Sequence, residues 1–204
     1  MALVQKACRA AAVAKKTAID DTATPPSIAI AMSLTLRLAR VEDALLLPAV
    51  ERSAAQAFAQ QPGFEWIAQG PVMSCEEHRR FIDQGHEWVL ADAQEQPQGF
   101  LCAEPAGRDL FIHELSVAQA VQGQGHGRRL IAAAGQWARD NGFQALTLTT
   151  FATVPWNAPF YARLGFEALT EQQLSQALQQ QLSREQLQGL TGRCAMRLEL
   201  QALS

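Results

Sequence analysis

The sequence predicts a domain of the α/β (α+β) class, a central sheet with helices packed on it. Three observations carry this. Short alternating apolar and polar runs are interspersed with longer runs of helical period, which is the pattern of a layered α/β fold. The 204 residues are 48 % hydrophobic and 18 % charged, enough apolar material for one core and too little charge for a disordered chain. A glycine-rich loop falls between a strand-like and a helix-like segment, past the middle of the chain.

In order, Leu34 to Leu38 alternates apolar and polar residues and reads as a strand. Glu42 and Asp43 place acids at a helix start, and Leu46, Val50, Ala54, Ala57 and Phe58 keep the helical period until Gln61-Pro62-Gly63 stops it. Phe64 to Val72 reads as a loop. Ser74 is suited to cap a second helix, with Glu76 and Glu77 in its first turn and Phe81 and Ile82 turned inward. Strands follow at His86 to Ala91, Gly99 to Ala103 and Asp109 to Val117, with Gln94 to Gln98 as a turn. A helix from about Gly127 to Asp140 carries Leu130, Ile131, Ala134, Trp137 and Ala138 on one face and ends at Asn141-Gly142. Ala145 to Thr150 is a strand, Asn157 to Leu164 a short helix stopped by Gly165, and Arg193 to Leu200 the last strand.

Two segments stand apart. Residues 1–32 are Ala-rich with scattered Lys and Arg, and these charges interrupt the apolar core that a signal peptide needs. They read as a flexible tail or an upstream extension of a chain starting at Met32, leaving residues 33–204 as the domain. Residues 170–192 are Gln-rich, with Leu174, Leu178 and Leu182 in one narrow stripe. That stripe suits a surface helix docked on the sheet; a lid over a substrate cleft and a homodimer contact are the alternatives.

Composition excludes several functions. The net charge of −3, with no long basic run, argues against a nucleic-acid partner. No apolar run reaches the ~20 residues that span a bilayer, so no membrane role is expected. The four cysteines, Cys8, Cys75, Cys102 and Cys194, are dispersed with no CxxC and no Cys/His cluster. This speaks against a metal site and fits reduced thiols in a cytoplasmic protein.

The strongest local signal is Val121-Gln122-Gly123-Gln124-Gly125-His126-Gly127-Arg128-Arg129-Leu130. Three glycines at alternate positions let the backbone turn tightly and approach a ligand with no Cβ in the way. The following helix adds about half a positive charge at its N-terminus, so loop and helix together make an anion site suited to a pyrophosphate. A dinucleotide fold would need a third glycine where Arg128 stands, and would need it near the first strand.

Gln-x-x-Gly-x-Gly at Gln122, Gly125 and Gly127 resembles the acetyl-CoA pyrophosphate loop of the GNAT acetyltransferases. Asn157-Ala-Pro-Phe-Tyr161-Ala-Arg-Leu-Gly165-Phe166 is similar to the second motif of that family, in the family's order. Pro159 departs from the pattern but falls in the first turn of its helix, where no intrahelical N–H bond is lost. The resemblance implies a mixed, mostly antiparallel twisted sheet, split near the acetyl-CoA site. It also implies an N-acetyltransferase that moves an acetyl group from acetyl-CoA to a primary amine by direct attack in a ternary complex. A small-molecule amine is the preferred acceptor. A protein N-terminus or lysine is the alternative, and a non-catalytic acyl-CoA-binding module the third reading.

The same resemblance implies roles. Leu115, Ser116 and Val117 would pair with the pantetheine arm, and the Val117 N–H would meet the oxyanion. Gln122, Gly123, Gln124, Gly125, His126, Gly127 and Arg128 would hold the pyrophosphate, His126 through its backbone. Asn157 would contact the pantetheine end. Tyr161, the only tyrosine, would be the general acid facing the CoA sulfur. Free Tyr titrates near ~10 and a thiol near ~8.5, so the proton transfer is uphill by only about 2 kcal/mol. The amine's base is His113 or Glu114, which lie on opposite faces of a regular strand. Phe64, Trp66, Phe151, Trp156 and Phe160 are candidates to line an apolar acceptor pocket.

Overall fold

The computed structural model describes residues 33–200; residues 1–32, read above as a tail or extension, lie outside the described residues. The chain forms β1 (Thr35–Leu38), α1 (Leu47–Ala55), α2 (Cys75–Asp83), β2 (Glu87–Ala91), β3 (Pro97–Ala106) and β4 (Asp109–Val117). It continues through α3 (His126–Asp140), β5 (Ala145–Phe151), α4 (Ala158–Ala162), β6 (Glu167–Ala168), α5 (Gln176–Leu187) and β7 (Arg193–Glu199). Among the described residues seven strands make one sheet in the order β1-β2-β3-β4-β5-β7-β6. Every pairing is antiparallel except that of β4 with β5.

Helices cover both faces, and strand alternation sorts their contacts. Gly99 faces α3, where an added Cβ would lie 3.6 Å from Leu130, whereas the next residue, Phe100, meets the His78 ring of α2 at 4.9 Å. On β5, Leu146 lies under Gly135 of α3, and Thr149 bonds to Glu185 of α5. Gly165, just past α4, approaches Leu198, the β7 partner of Leu146. So α3 and α4 share one face, and α1, α2 and α5 the other.

The expected first helix is interrupted. A 3₁₀ turn at Val41–Leu45 precedes α1, and a second at Gln56–Phe58 follows it. Pro48 sits in the first turn of α1; with no N–H and a ring that crowds the preceding turn, it forbids one continuous helix from Glu42. The Ser74 cap forms as expected: its hydroxyl accepts from the Glu77 N–H while Glu77 bonds back to the Ser74 N–H. The stretch read as a loop after Phe64 contains a 3₁₀ turn, Glu65–Gln69.

The Gln-rich segment forms α5, docked on β5 and β7. Leu178 packs with Phe111 and Ala195, and a buried polar knot fixes the helix. Glu185 accepts from the Thr149 hydroxyl at 2.6 Å and pairs with Arg193 at 3.0 Å. The Arg193 guanidinium also lies over the Phe151 ring. Among the described residues no helix is long and apolar enough to cross a membrane.

Candidate active site

The sequence-predicted site residues on β4 lie where the sheet opens. Parallel pairing of β4 with β5 runs from Asp109↔Ala145 to Phe111↔Thr147 and stops there, although β4 continues to Val117 and β5 to Phe151. A gap between two diverging strands leaves backbone N–H and C=O groups for a ligand to bond. On this open stretch of β5 the fully buried Thr150 hydroxyl has no hydrogen-bond partner among the described residues. A buried polar atom of that kind fits a site that receives a polar ligand.

The loop after β4 closes one end of the gap. Gly123 and Gly125 take φ of +77° and +80°, left-handed values that other residues rarely adopt. Gly125 is the N-cap of the fifteen-residue α3, and nothing among the described residues lies within 4 Å of where its Cβ would stand. The first N–H groups of α3 have no partner within the helix and point into this concavity. Gly123, Gln124, Gly125 and Arg128 are exposed around it. Such a cradle fits a pyrophosphate.

Other loop residues are committed within the protein. The Gln122 amide donates to the Val117 carbonyl at 2.9 Å, tying the loop to the end of β4. His126 is buried beside Arg129, which donates to the Leu34 carbonyl. Burial, then the Arg129 charge, hold the His126 imidazole below its ordinary pKa. Leu115 and Val117 side chains are core, and the Ser116 hydroxyl donates to Glu114 at 2.8 Å. On β4 these three can therefore offer a ligand only backbone.

A β-bulge decides the facing of His113 and Glu114. Cys102 of β3 pairs with Glu114 and Ala103 with Ile112, so His113 is the inserted residue. The expectation of opposite faces applied to a regular strand; a bulge re-aims a side chain, and here both residues face α2. Glu114 is fully buried in the row Glu87–Cys102–Glu114, which crosses three strands. Around this row, Glu51 accepts from the Met73 N–H and His78 bonds Glu87 at 2.7 Å. Burial pushes the Glu87 carboxyl above its ordinary pKa, with the His78 bond acting against it.

His113 remains 21 % exposed, between Phe81 at 5.2 Å and Phe111 at 4.9 Å. Its Nε2 lies 2.6 Å from Oε1 of Glu104. The His113 hydrogen bond, opposed by burial and assisted by the charges of His113, Arg80 and Arg184, holds the Glu104 carboxyl below its ordinary range. Glu104 was not legible as a site residue, because nothing local marks it; only the β3–β4 register brings it to Phe111 and His113.

Tyr161 and Asn157 are both fully buried. Asn157 is the N-cap of α4, and its carbonyl accepts from the Phe160 and Tyr161 N–H groups. The Tyr161 ring packs edge-on to Phe160 and Phe166. Of the expected pocket aromatics, Phe64, Phe151 and Trp156 pack with Phe58 into a satellite core that joins the segment after α1 to the end of β5. Phe160 lies apart from them beside Tyr161, and Trp66 is 45 % exposed.

A model of the acetyltransferase (GNAT) family matches residues 51–166. The chain belongs to this family; it is an acyltransferase, and its acetyl donor is acetyl-CoA. Solved structures agree in fold. The PaiA N-acetyltransferase of Thermoplasma acidophilum, in complex with coenzyme A, is 16 % identical with a TM-score of 0.61, over 82 % of this chain and 99 % of that one. The ribosomal-protein-S18-alanine N-acetyltransferase of Escherichia coli is 17 % identical with a TM-score of 0.57, over 84 % and 96 %. N-acetylglutamate synthase of Neisseria gonorrhoeae, complexed with coenzyme A and N-acetyl-glutamate, is 18 % identical with a TM-score of 0.58. The match covers 83 % of this chain but 35 % of that synthase, so this chain spans about a third of its length.

Proposed function

We propose that residues 33–204 form an N-acetyltransferase domain that acetylates the primary amine of a small molecule, with His113 as general base and Tyr161 as general acid. The observation that carries this reading is the contrast on β4: His113 is partly exposed and bonded to Glu104, whereas Glu114 is fully buried and bonded to Ser116. Of the two β4 candidates only His113 has an exposed side chain with which to reach an acceptor's proton; Tyr161 is as buried as Glu114, and its role requires the thioester sulfur to enter between the parted strands.

In the ternary complex the pyrophosphate of acetyl-CoA rests on the Gly123–Arg128 loop and the α3 N-terminus, and the pantetheine arm follows the open edge of β4. Acetyl-CoA supplies an activated thioester. His113 takes the proton from the acceptor ammonium, and Glu104 fixes the ring and balances the imidazolium that forms. The amine nitrogen attacks the thioester carbon and the C–S bond breaks. The Val117 N–H meets the charge on oxygen, and the Tyr161 hydroxyl gives its proton to the departing sulfur. The free thiols Cys75, Cys102 and Cys194 accord with a cytoplasmic setting.

The test is acetyl-CoA-dependent thiol release against small amines and N-terminal peptides, with calorimetry for CoA. Small amines should turn over and peptides should not; turnover confined to peptides would overturn the acceptor class. Gly125→Asp adds a side chain and a negative charge at a left-handed position, so CoA affinity should fall at least tenfold. Unchanged affinity would put the pyrophosphate elsewhere.

A further inference from the structure

A groove of about 260 Å³ runs between α3 and the end of α4, with β7 beneath it. Ile131, Leu164 and Leu198 give it an apolar bed, and Arg128, Arg139 and Arg163 stand around it. Arg128 belongs to the first turn of α3 and is also exposed at the rim of the glycine cradle, so the groove opens directly off that cradle. From there it follows α3 for three turns, about 16 Å, to Arg139. His113 faces α2 on the other side of the sheet, so the groove is no part of the acceptor's seat.

The charges in the groove are uncompensated. No acidic residue among the described ones lines it. Among the described residues Arg128 and Arg163 make no side-chain hydrogen bond or ion pair, and Arg139 donates only to the Gln136 amide oxygen at 3.0 Å. Arg37, Arg40, Arg193 and Arg197 all pair with acids. In a chain of net charge −3, three guanidiniums without an acid partner over an apolar bed suit an anion with a flat, weakly polar body. A phosphorylated nucleoside is such a group, and the volume admits one but not a whole coenzyme.

We infer that the adenosine of acetyl-CoA lies in this groove, with its base on the apolar bed and its 3′-phosphate held by Arg163. Arg128 stands between the two phosphate sites, and Arg139 closes the far end. The pantetheine arm leaves the cradle through the gap between β4 and β5, so the nucleotide takes the other exit. A phosphate monoester carries about 1.5 to 2 negative charges at neutral pH, and the guanidinium fork matches its oxygens. The consequence is donor selection. The chain reads the 3′-phosphate and disfavours an acetyl thioester that lacks it, whether acetyl-dephospho-CoA or an acetylated carrier-protein phosphopantetheine. This assignment rests on the reading of the Gly123–Arg128 loop as the pyrophosphate cradle.

The test is calorimetry on the full chain with CoA and with 3′-dephospho-CoA, which keeps the pyrophosphate and the pantetheine. Wild type should bind CoA more tightly by roughly tenfold or more, the worth of a charge-assisted hydrogen bond. Arg163→Gln should lose that advantage while binding dephospho-CoA as wild type does, and Arg139→Gln should lose less of it. Arg163 is exposed and joins α4 through its backbone N–H, so the variant should fold; an unchanged melting temperature without ligand checks this. Equal affinities of wild type for the two ligands, with Gly125→Asp still weakening both, would overturn this proposal alone. A loss in Arg163→Gln that is the same for both ligands would overturn the role given to Arg163. CoA affinity unmoved by Gly125→Asp would overturn the cradle reading and this one with it.

Discussion

The Nε2 of His113 on β4 and the Oε1 of Glu104 on β3 stand 2.6 Å apart, brought together by the bulge that inserts His113 opposite Cys102 and Ala103. A carboxylate bonded to one ring nitrogen fixes the ring's orientation and leaves the other nitrogen to carry the chemistry. His113→Gln should lower kcat by roughly 10²–10⁴-fold, the span of a positioned base. Glu104→Gln keeps the shape and removes the charge, so its loss should be smaller. Equal activity of His113→Gln and wild type would return the base to Glu114 or to water.

The buried imidazole of His126 predicts a pH-dependent stability. Burial and Arg129 lower its folded-state pKa below the ordinary 6.5. A group with a depressed folded pKa contributes stability that is present above the unfolded value and is lost as pH falls through the folded one. From pH 7 to pH 5 the melting temperature of wild type should therefore fall relative to that of His126→Met, which keeps an apolar buried side chain without a titrating group. Parallel curves for the two proteins would show that His126 is not held neutral.

Glu185 anchors α5 through Thr149, Gln181 and Arg193, with the Glu185 and Arg193 side chains each under a tenth exposed. Removing one partner of a buried pair leaves the other charge uncompensated, which costs about 3–5 kcal/mol. Glu185→Ala should lose that amount in urea denaturation. Glu185→Leu with Arg193→Met should recover most of it, since neither charge then remains. A loss under about 1 kcal/mol in the single variant would mean that α5 is held by Leu178 and its neighbours alone.

The order of strands and helices was legible because each carries a local period: the alternation of Thr35 to Leu38, the Ser74-Glu77 cap, the α3 stripe from Leu130 to Ala138. The phosphate loop was legible for the same reason, since Gly123 and Gly125 are needed where φ is positive. The long-range geometry was hidden. A bulge has no local signature in Ile112-His113-Glu114, so the facing of the two candidate bases could not be read. Glu104 looks like any strand-end acid until the register sets it beside His113. Glu185 and Arg193 look like surface charges until α5 docks and buries them together. The break between Leu45 and Leu47 was readable from Pro48, and the helical period of Leu46, Val50 and Ala54 masked it.

Tyr161→Phe separates proton donation from packing. The side chain is fully buried between Phe160 and Phe166, and the substitution deletes one hydroxyl with almost no change of volume. The fold should survive with at most about 1 kcal/mol of lost stability. CoA affinity should be nearly unchanged, because the pyrophosphate cradle lies on the other motif. If the hydroxyl protonates the departing sulfur, kcat should fall roughly 10²–10⁴-fold. The KM for acetyl-CoA should move far less, since that proton matters in the transition state and little in the ground state. An aryl thioester donor gives a second check: its thiolate leaves without a proton, so the deficit of Tyr161→Phe should shrink with that donor. A variant as active as wild type on both donors would reduce Tyr161 to core packing and assign the proton to water.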